Sequence, residues 1–233
     1  MLNIAVLIIF YFLILIYSII IHEVAHGVMA LWLGDNTAKY AGRISLNPFK
    51  HIDPWMTIMV PFLMLLMTGG RLAFGGAKPV PYNPYNLKNQ KWGPALVGFA
   101  GPASNILFAL AFAIGAKLIS IPAAIKIDII NNVRLAEWGT VAQVISGSGG
   151  SIFFTLFIIA IFWNILLAVF NLIPIPPLDG SKLLFALIPI KIETAAMLEQ
   201  FGFIFLLIFI LFFPGPLSLI LNFFWMLFFG LAI

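Results

Sequence analysis

Residues 1–34 read MLNIAVLIIFYFLILIYSIIIHEVAHGVMALWLG, and no charged residue interrupts them before His22-Glu23. A helix needs roughly 20 apolar residues to cross a hydrocarbon core of ~30 Å, so this stretch is long enough to span a membrane. The expected helix covers residues 3–33 and stops at Gly34-Asp35, where glycine permits the chain to leave the helix. Met1-Leu2-Asn3-Ile4 lacks the basic flank of a signal peptide, and the run leads straight into ionisable residues, so a retained helix is expected.

Composition points the same way. Of 233 residues, 63% are hydrophobic and 9% are charged, against about 25% charged in an ordinary globular protein. The chain is therefore an integral membrane protein with the lipid bilayer as its solvent. A net charge of +4 would suit nucleic acid in a soluble protein. Here the Lys and Arg residues sit in loops between apolar segments, where they set orientation, and no nucleic-acid partner is expected. The absence of cysteine excludes disulfides, thiolate metal sites and cysteine nucleophiles. Any metal must be held by His, carboxylate or water.

Outward from the first helix, residues 36–54 mix Lys39, Arg43, Lys50 and Asp53 with Gly42 and Pro48, and read as strand or loop. Residues 56–68 are apolar but short and carry Pro61. Residues 69–94 are rich in Gly, Pro, Asn and Lys, with an extended stretch at Gly76-Ala77-Lys78-Pro79-Val80-Pro81, because a residue preceding proline is pushed out of the helical region. Helices follow at 95–119 and 152–172, separated by an external loop, 122–150, with a short amphipathic helix. Asn171 to Gly180 holds Pro174, Pro176 and Pro177, which forbid regular helix, and non-helical backbone at membrane depth needs protein or a polar cavity around it. Residues 201–233 are apolar again, split by Pro214-Gly215-Pro216 into a broken span or a hairpin. The fold class expected is an all-α membrane protein: a polytopic helical bundle with three core transmembrane helices, a re-entrant or strand-like membrane-associated region, and additional C-terminal helices. Residues 1–233 form a single transmembrane domain without a soluble domain.

His22-Glu23-Val24-Ala25-His26 matches H-E-x-x-H. On a helix the i, i+4 spacing turns both imidazoles to one face, where they can bind one zinc ion, and Glu23 stands beside it as a base for activating water. The alternative is a polar cluster that serves packing alone. Ionisable groups in an apolar span are costly, ~2.5–3.5 kcal/mol each on insertion scales for Asp, Lys or Arg at the centre, so three within five residues call for a partner such as a cation. Zinc then needs a third protein ligand. Asp179 is the candidate, held in the proline-broken segment, although Asp179-Gly180-Ser181 also reads as the N-cap of the apolar run 183–188. His51, two residues before Asp53-Pro54, reads as a loop residue in ordinary turn chemistry.

Three motifs in order, the His22–His26 pattern, Gly101-Pro102-Ala103-Ser104-Asn105, and the run from Asn171 to Asp179-Gly180, resemble the site-2 protease family of intramembrane zinc metalloproteases. The pattern covers most of the chain, and Gly42 to Pro48 and Ala77 to Asn83 are similar to the branch lacking a PDZ domain. The resemblance implies one zinc per chain held by His22, His26 and Asp179, with Glu23 as general base and Asn105 near the active centre. Asn105 would hydrogen-bond the substrate or its oxyanion, or pack as a polar helix residue at a Gly-Pro kink. The implied activity is hydrolysis of a peptide bond in or near the transmembrane helix of a membrane-protein substrate.

If those ligands share one metal, the C-terminal end of the first helix and the far end of helix 152–172 face the same side, so residues 56–68 cannot cross fully. That side then receives Lys39, Arg43, Lys50, Arg71, Lys78, Lys88, Lys91, Lys182 and Lys191, and the other only Lys117, Lys126 and Arg134. Nine against three is a positive-inside bias that turns the active centre toward the cytosol, as in a bacterial-type cell membrane. A prenyl-protein-processing protease would place a glutamate ligand in a later helix, yet Glu137, Glu193 and Glu199 all lie in polar stretches. A transporter would show ionisable residues on several spans, which are nearly absent. A non-catalytic zinc-binding scaffold would leave Glu23 without a purpose.

Overall fold

The computed structural model describes residues 4–67, 69, 75–188, 190–212 and 214–233; Asn3, Thr68 and Arg71, used in the sequence reading, lie outside these. Among the described residues the secondary structure is entirely helical. Helix α1 runs Ile4–Trp32. It closes with Gly34 at φ +108°, as Gly34 N–H donates to Leu31 O at 3.1 Å and Asp35 N–H to Ala30 O at 2.9 Å. Paired bonds of this kind satisfy the last carbonyls of a helix around a left-handed glycine.

The stretch expected as strand or loop is loop with helical turns: α2 at Thr37–Tyr40 and a 3-10 turn at Pro48–Lys50. Residues Pro54–Met59 form a π-helical turn that continues into α3, Val60–Met67. Fourteen residues at ~1.5 Å each reach only about 21 Å, short of a bilayer core. The chain also returns to the end of α1 that it left: Lys88 N–H donates to Leu33 O at 3.0 Å. Asn83 N–H and the Asn86 amide donate to Asp35 at 2.7 and 2.9 Å. Residues 54–67 thus leave and come back on one side, the re-entrant arrangement.

Helix α4, Gly93–Lys117, starts with Pro94 in its first turn and continues through Pro102. Asn89 accepts from the N–H groups of Lys91 and Trp92 just before it. Residues 122–150, read as an external loop with a short amphipathic helix, form two helices, α5, Ala123–Arg134, and α6, Trp138–Val144, and their Ile129, Val133 and Val141, with Ile145 just beyond, join the main core. Their period-3.6 apolar face needs a partner, and the buried Lys126 ammonium lies 3.3–3.4 Å from the carbonyls of Ala116, Lys117 and Ala232, where it complements the negative ends of two helices.

Helix α7, Gly149–Asn171, is capped by Ser148 and fills the centre with Phe154, Ile158, Ile161 and Ile165. After the proline segment come α8, Gly180–Leu187, α9, Ile192–Phe212, and α10, Pro214–Ala232. Among the described residues four helices, α1, α4, α7 and α10, are long and apolar enough to cross a membrane; α9, bent by 50°, would make five. The core lies where α1, α4, α7 and α10 pack together, with α8 against α4.

Asp35 organises the loop side. Its Oδ1 also accepts from Thr37 N–H at 3.1 Å and Thr37 Oγ1 at 2.6 Å. Burial by itself would raise the carboxyl's pKa, but the Thr37, Asn86 and Asn83 donors outweigh it and hold the group below the usual carboxylate range. Such a group stabilises the fold fully above its unfolded pKa of about 3.9 and loses that contribution as pH falls through the lower folded value. In Asp35→Asn an amide N–H2 must face a donor. The expected outcome in detergent is a loss of about 1–3 kcal/mol at neutral pH, read as a lower melting temperature, with the deficit closing below about pH 4.

Candidate metal centre

Helix α1 carries His22 and His26 one turn apart, with ring centroids 4.6 Å apart and planes at 88°. Asp179 comes from the opposite end of the sequence. The prolines preceding it stop α7 and turn the chain back, so that Asp179 arrives at the N-cap position, just before α8. Its side chain makes no capping bond there. Instead Oδ2 lies 3.1 Å from Nε2 of both His22 and His26, while Oδ1 accepts from Lys182 Nζ at 3.0 Å. Both sequence readings of Asp179 therefore meet: it holds the cap position, and its carboxylate points at the imidazoles.

The second nitrogen of each ring is also engaged. His26 Nδ1 lies 2.6 Å from Val97 O. A backbone carbonyl only accepts, so Nδ1 carries the proton and Nε2 keeps its lone pair for the centre. His22 Nδ1 lies 2.6 Å from Asn105 Oδ1. Asn105 is 0% exposed, and its amide donates to Asn164 Oδ1 at 2.7 Å and Ser18 O at 3.3 Å. The structure brings Asn105 into the site as the partner of His22. Glu23 is half-buried, with Oε2 accepting from Val80 N–H at 2.8 Å. His51 lies apart, its Nε2 2.7 Å from Ser45 O, and among the described residues the group able to hold a metal is His22, His26 and Asp179.

The donors fit zinc. Two imidazole nitrogens and a carboxylate oxygen, all within 4.8 Å of one another, form an N, N, O set that zinc accepts with a fourth position open. Tetrahedral bonds of ~2.0–2.1 Å put neighbouring donors about 3.3 Å apart, close to the 3.1 Å seen here. Space for the ion comes from Gly101: a Cβ there would sit 2.5 Å from His26 Nε2 and 2.6 Å from His22 Nε2. Gly98 similarly admits α8, since its Cβ would meet Asp179 O at 3.0 Å.

Sequence reasoning missed Lys182, Asn164, Ser18 and the Val80 N–H. The Asp179–Lys182 spacing of i, i+3 was visible. The Asn164 and Ser18 contacts join residues 59 and 146 positions apart and leave no local trace. Gly101→Ala is expected to weaken zinc binding by roughly 10–100-fold or more while retaining the helical fold, checked by metal content and circular dichroism of purified protein.

Comparisons with known proteins agree with this geometry. The profile of peptidase family M50 matches residues 10–209. A Bacillus subtilis protein named "Putative zinc metalloprotease YwhC" is 35% identical over 205 residues, covering 88% of this chain and 80% of its own length. Two proteins of the same designation, Rip2, are more distant: that of Mycolicibacterium smegmatis is 27% identical over 80% of this chain, and that of Mycobacterium tuberculosis 24% over 82%. This chain spans 61% and 62% of the lengths of those two. No solved structure matches. A buried His-His-Asp set on an H-E-x-x-H helix, together with the family match along most of the sequence, identifies the chain as a zinc metalloprotease belonging to peptidase family M50, the site-2 protease family.

Proposed function

We propose that this metalloprotease is an intramembrane endopeptidase that cuts a peptide bond in or near the transmembrane segment of another membrane protein. The carrying observation is the position of the centre: His22, His26 and Asp179 are 5%, 7% and 6% exposed and are built on a membrane-spanning helix and the proline-broken loop packed against it. A substrate must therefore reach it within the membrane. His22 Nε2, His26 Nε2 and Asp179 would hold one zinc per chain. When bound, the ion supplies Lewis acidity for activating water and polarising the scissile carbonyl.

The protein's own groups carry the remaining steps. Val80 N–H holds Glu23 Oε2 at 2.8 Å, which fixes the carboxylate and leaves Oε1 to take a proton from the attacking water. As the C–N bond breaks, Glu23 returns that proton to the departing amine nitrogen. Lys182 holds Asp179 Oδ1 at 3.0 Å and so keeps Oδ2 aimed at the histidines. Asn105, wholly committed to His22, Asn164 and Ser18, acts through His22.

Because a helix hides its carbonyls in its own hydrogen bonds, the substrate must unwind before attack, and pairing with backbone near the centre offsets the lost bonds. Of the two stretches suited to this, 77–81 is largely occupied. Arg43 Nη2 holds the carbonyls of Lys78 and Pro79, Lys78 N–H donates to His51 O, and Val80 N–H holds Glu23. In 42–46 the Gly42 and Arg43 N–H groups and the Ser45 carbonyl are taken, and Ile44 lies beside Gly27, about one turn after Glu23 on α1. Orientation follows from the nine-to-three distribution of basic residues, which turns the centre toward the cytosolic half of a bacterial-type cell membrane with the N-terminus outside.

Cleavage of single-span model substrates by detergent-purified protein with zinc tests this. Glu23→Gln is expected to lower kcat by about 10²–10⁴-fold while keeping zinc. A wild type that binds the helices but never cuts them would leave a non-catalytic scaffold. Ile44→Pro, which removes one backbone donor, is expected to raise KM several-fold without changing zinc content; unchanged kinetics would discard pairing at 42–46.

A further inference from the structure

Asn105 passes the His22 hydrogen bond on to two residues outside the three motifs. Its Nδ2 donates to Asn164 Oδ1 at 2.7 Å, and Asn164 Nδ2 donates in turn to Ser18 Oγ at 2.9 Å and to Ala160 O at 2.8 Å. Asn105, Asn164 and Ser18 are 0%, 2% and 4% exposed and sit on α4, α7 and α1 respectively. Beside them, an apolar cavity of about 300 Å³, lined by Phe10, Tyr17, Phe108 and Phe112 among others, offers no replacement partners for Asn164.

We propose that Asn164 and Ser18 are positioning residues for the metal centre, and that their hydrogen bonds set which nitrogen of His22 carries the proton and which keeps its lone pair for the metal. The direction is forced by groups that can only accept. Ala160 O requires the amide nitrogen of Asn164, so Asn164 Oδ1 turns toward Asn105. Asn105 must answer with its own nitrogen, which also serves Ser18 O. Asn105 Oδ1 is then left for His22 Nδ1, which must carry the proton. The lone pair is thereby placed on Nε2, the atom facing Asp179. Without Asn164, only Ser18 O, at 3.3 Å, still holds the Asn105 amide nitrogen, and an amide that turns over presents its nitrogen to His22 and favours the tautomer that opposes metal binding at Nε2.

This inference rests on His22 being a zinc ligand. The experiment measures zinc affinity by chelator competition, together with kcat and KM on a single-span substrate, for wild type, Asn164→Leu, Ser18→Ala and His22→Ala in detergent. Asn164→Leu is close in volume and borders the cavity; it is expected to bind zinc about tenfold more weakly and to lose kcat at unchanged KM. Ser18→Ala, a milder variant, moves both in the same direction by a smaller factor. A purely structural role would lower the melting temperature of the metal-free protein and leave zinc affinity alone. If Asn164→Leu and Ser18→Ala both keep wild-type affinity while His22→Ala loses zinc, the positioning role is overturned and the ligand assignment stands. If His22→Ala also keeps wild-type affinity, the ligand assignment fails and the positioning role with it.

Discussion

Two imidazoles and a carboxylate meet at 3.1 Å inside an apolar bundle, and the carboxylate comes from 157 residues away in the chain. Groups of this kind are costly in a low-dielectric interior unless each is paired. Their convergence restricts the surrounding helices. Helix α4 has to be thin where it passes the centre, which accounts for Gly98 against Asp179 and Gly101 against both rings. Helix α7 has to stop just short of it, and the prolines 174, 176 and 177 make it stop.

A layer of partners surrounds the three donors. Val97 O takes His26, Asn105 takes His22, and Lys182 takes the second oxygen of Asp179. Each fixes an orientation as well as satisfying a buried group, since an unsatisfied polar atom there costs about 1–3 kcal/mol. The supply of partners from α1, α4, α7 and α8 ties the centre to the packing of the whole bundle. A change in the register of any one of these helices would reach the histidines.

The membrane adds a further constraint. The ends of α1 and α7 can share a metal only if the segment between α1 and α4 does not cross. The bonds from Lys88 to Leu33 and from Asn83 and Asn86 to Asp35 show how the chain is brought back. The same loops deliver Val80 N–H to Glu23, so the element that solves the topology also holds this carboxylate.

Much of this was legible beforehand. Spans at α1, α4 and α7 follow from apolar length, and the pairing of His22 with His26 from a spacing that helix geometry turns to one face, with Glu23 beside them. The resemblance to site-2 proteases supplied Asp179 and Asn105 as expectations. The readings held only in part where a local pattern admits two outcomes. Residues 122–150 are polar enough for a surface loop, yet their apolar face packs inward as α5 and α6; residues 36–54 read as strand or loop and form loop with helical turns. Sequence by itself determined the membrane class, the helix spans and the shared face of His22 and His26 on α1, because those depend on residues a turn or two apart. Only the tertiary structure decided that Asp179 turns from its cap position to the histidines, that Asn105 meets His22, and that Asn164 and Ser18 stand behind it. Those contacts exist only when α1, α4, α7 and α8 pack at once, and hydrogen-bond direction is settled by partners that are distant in the chain.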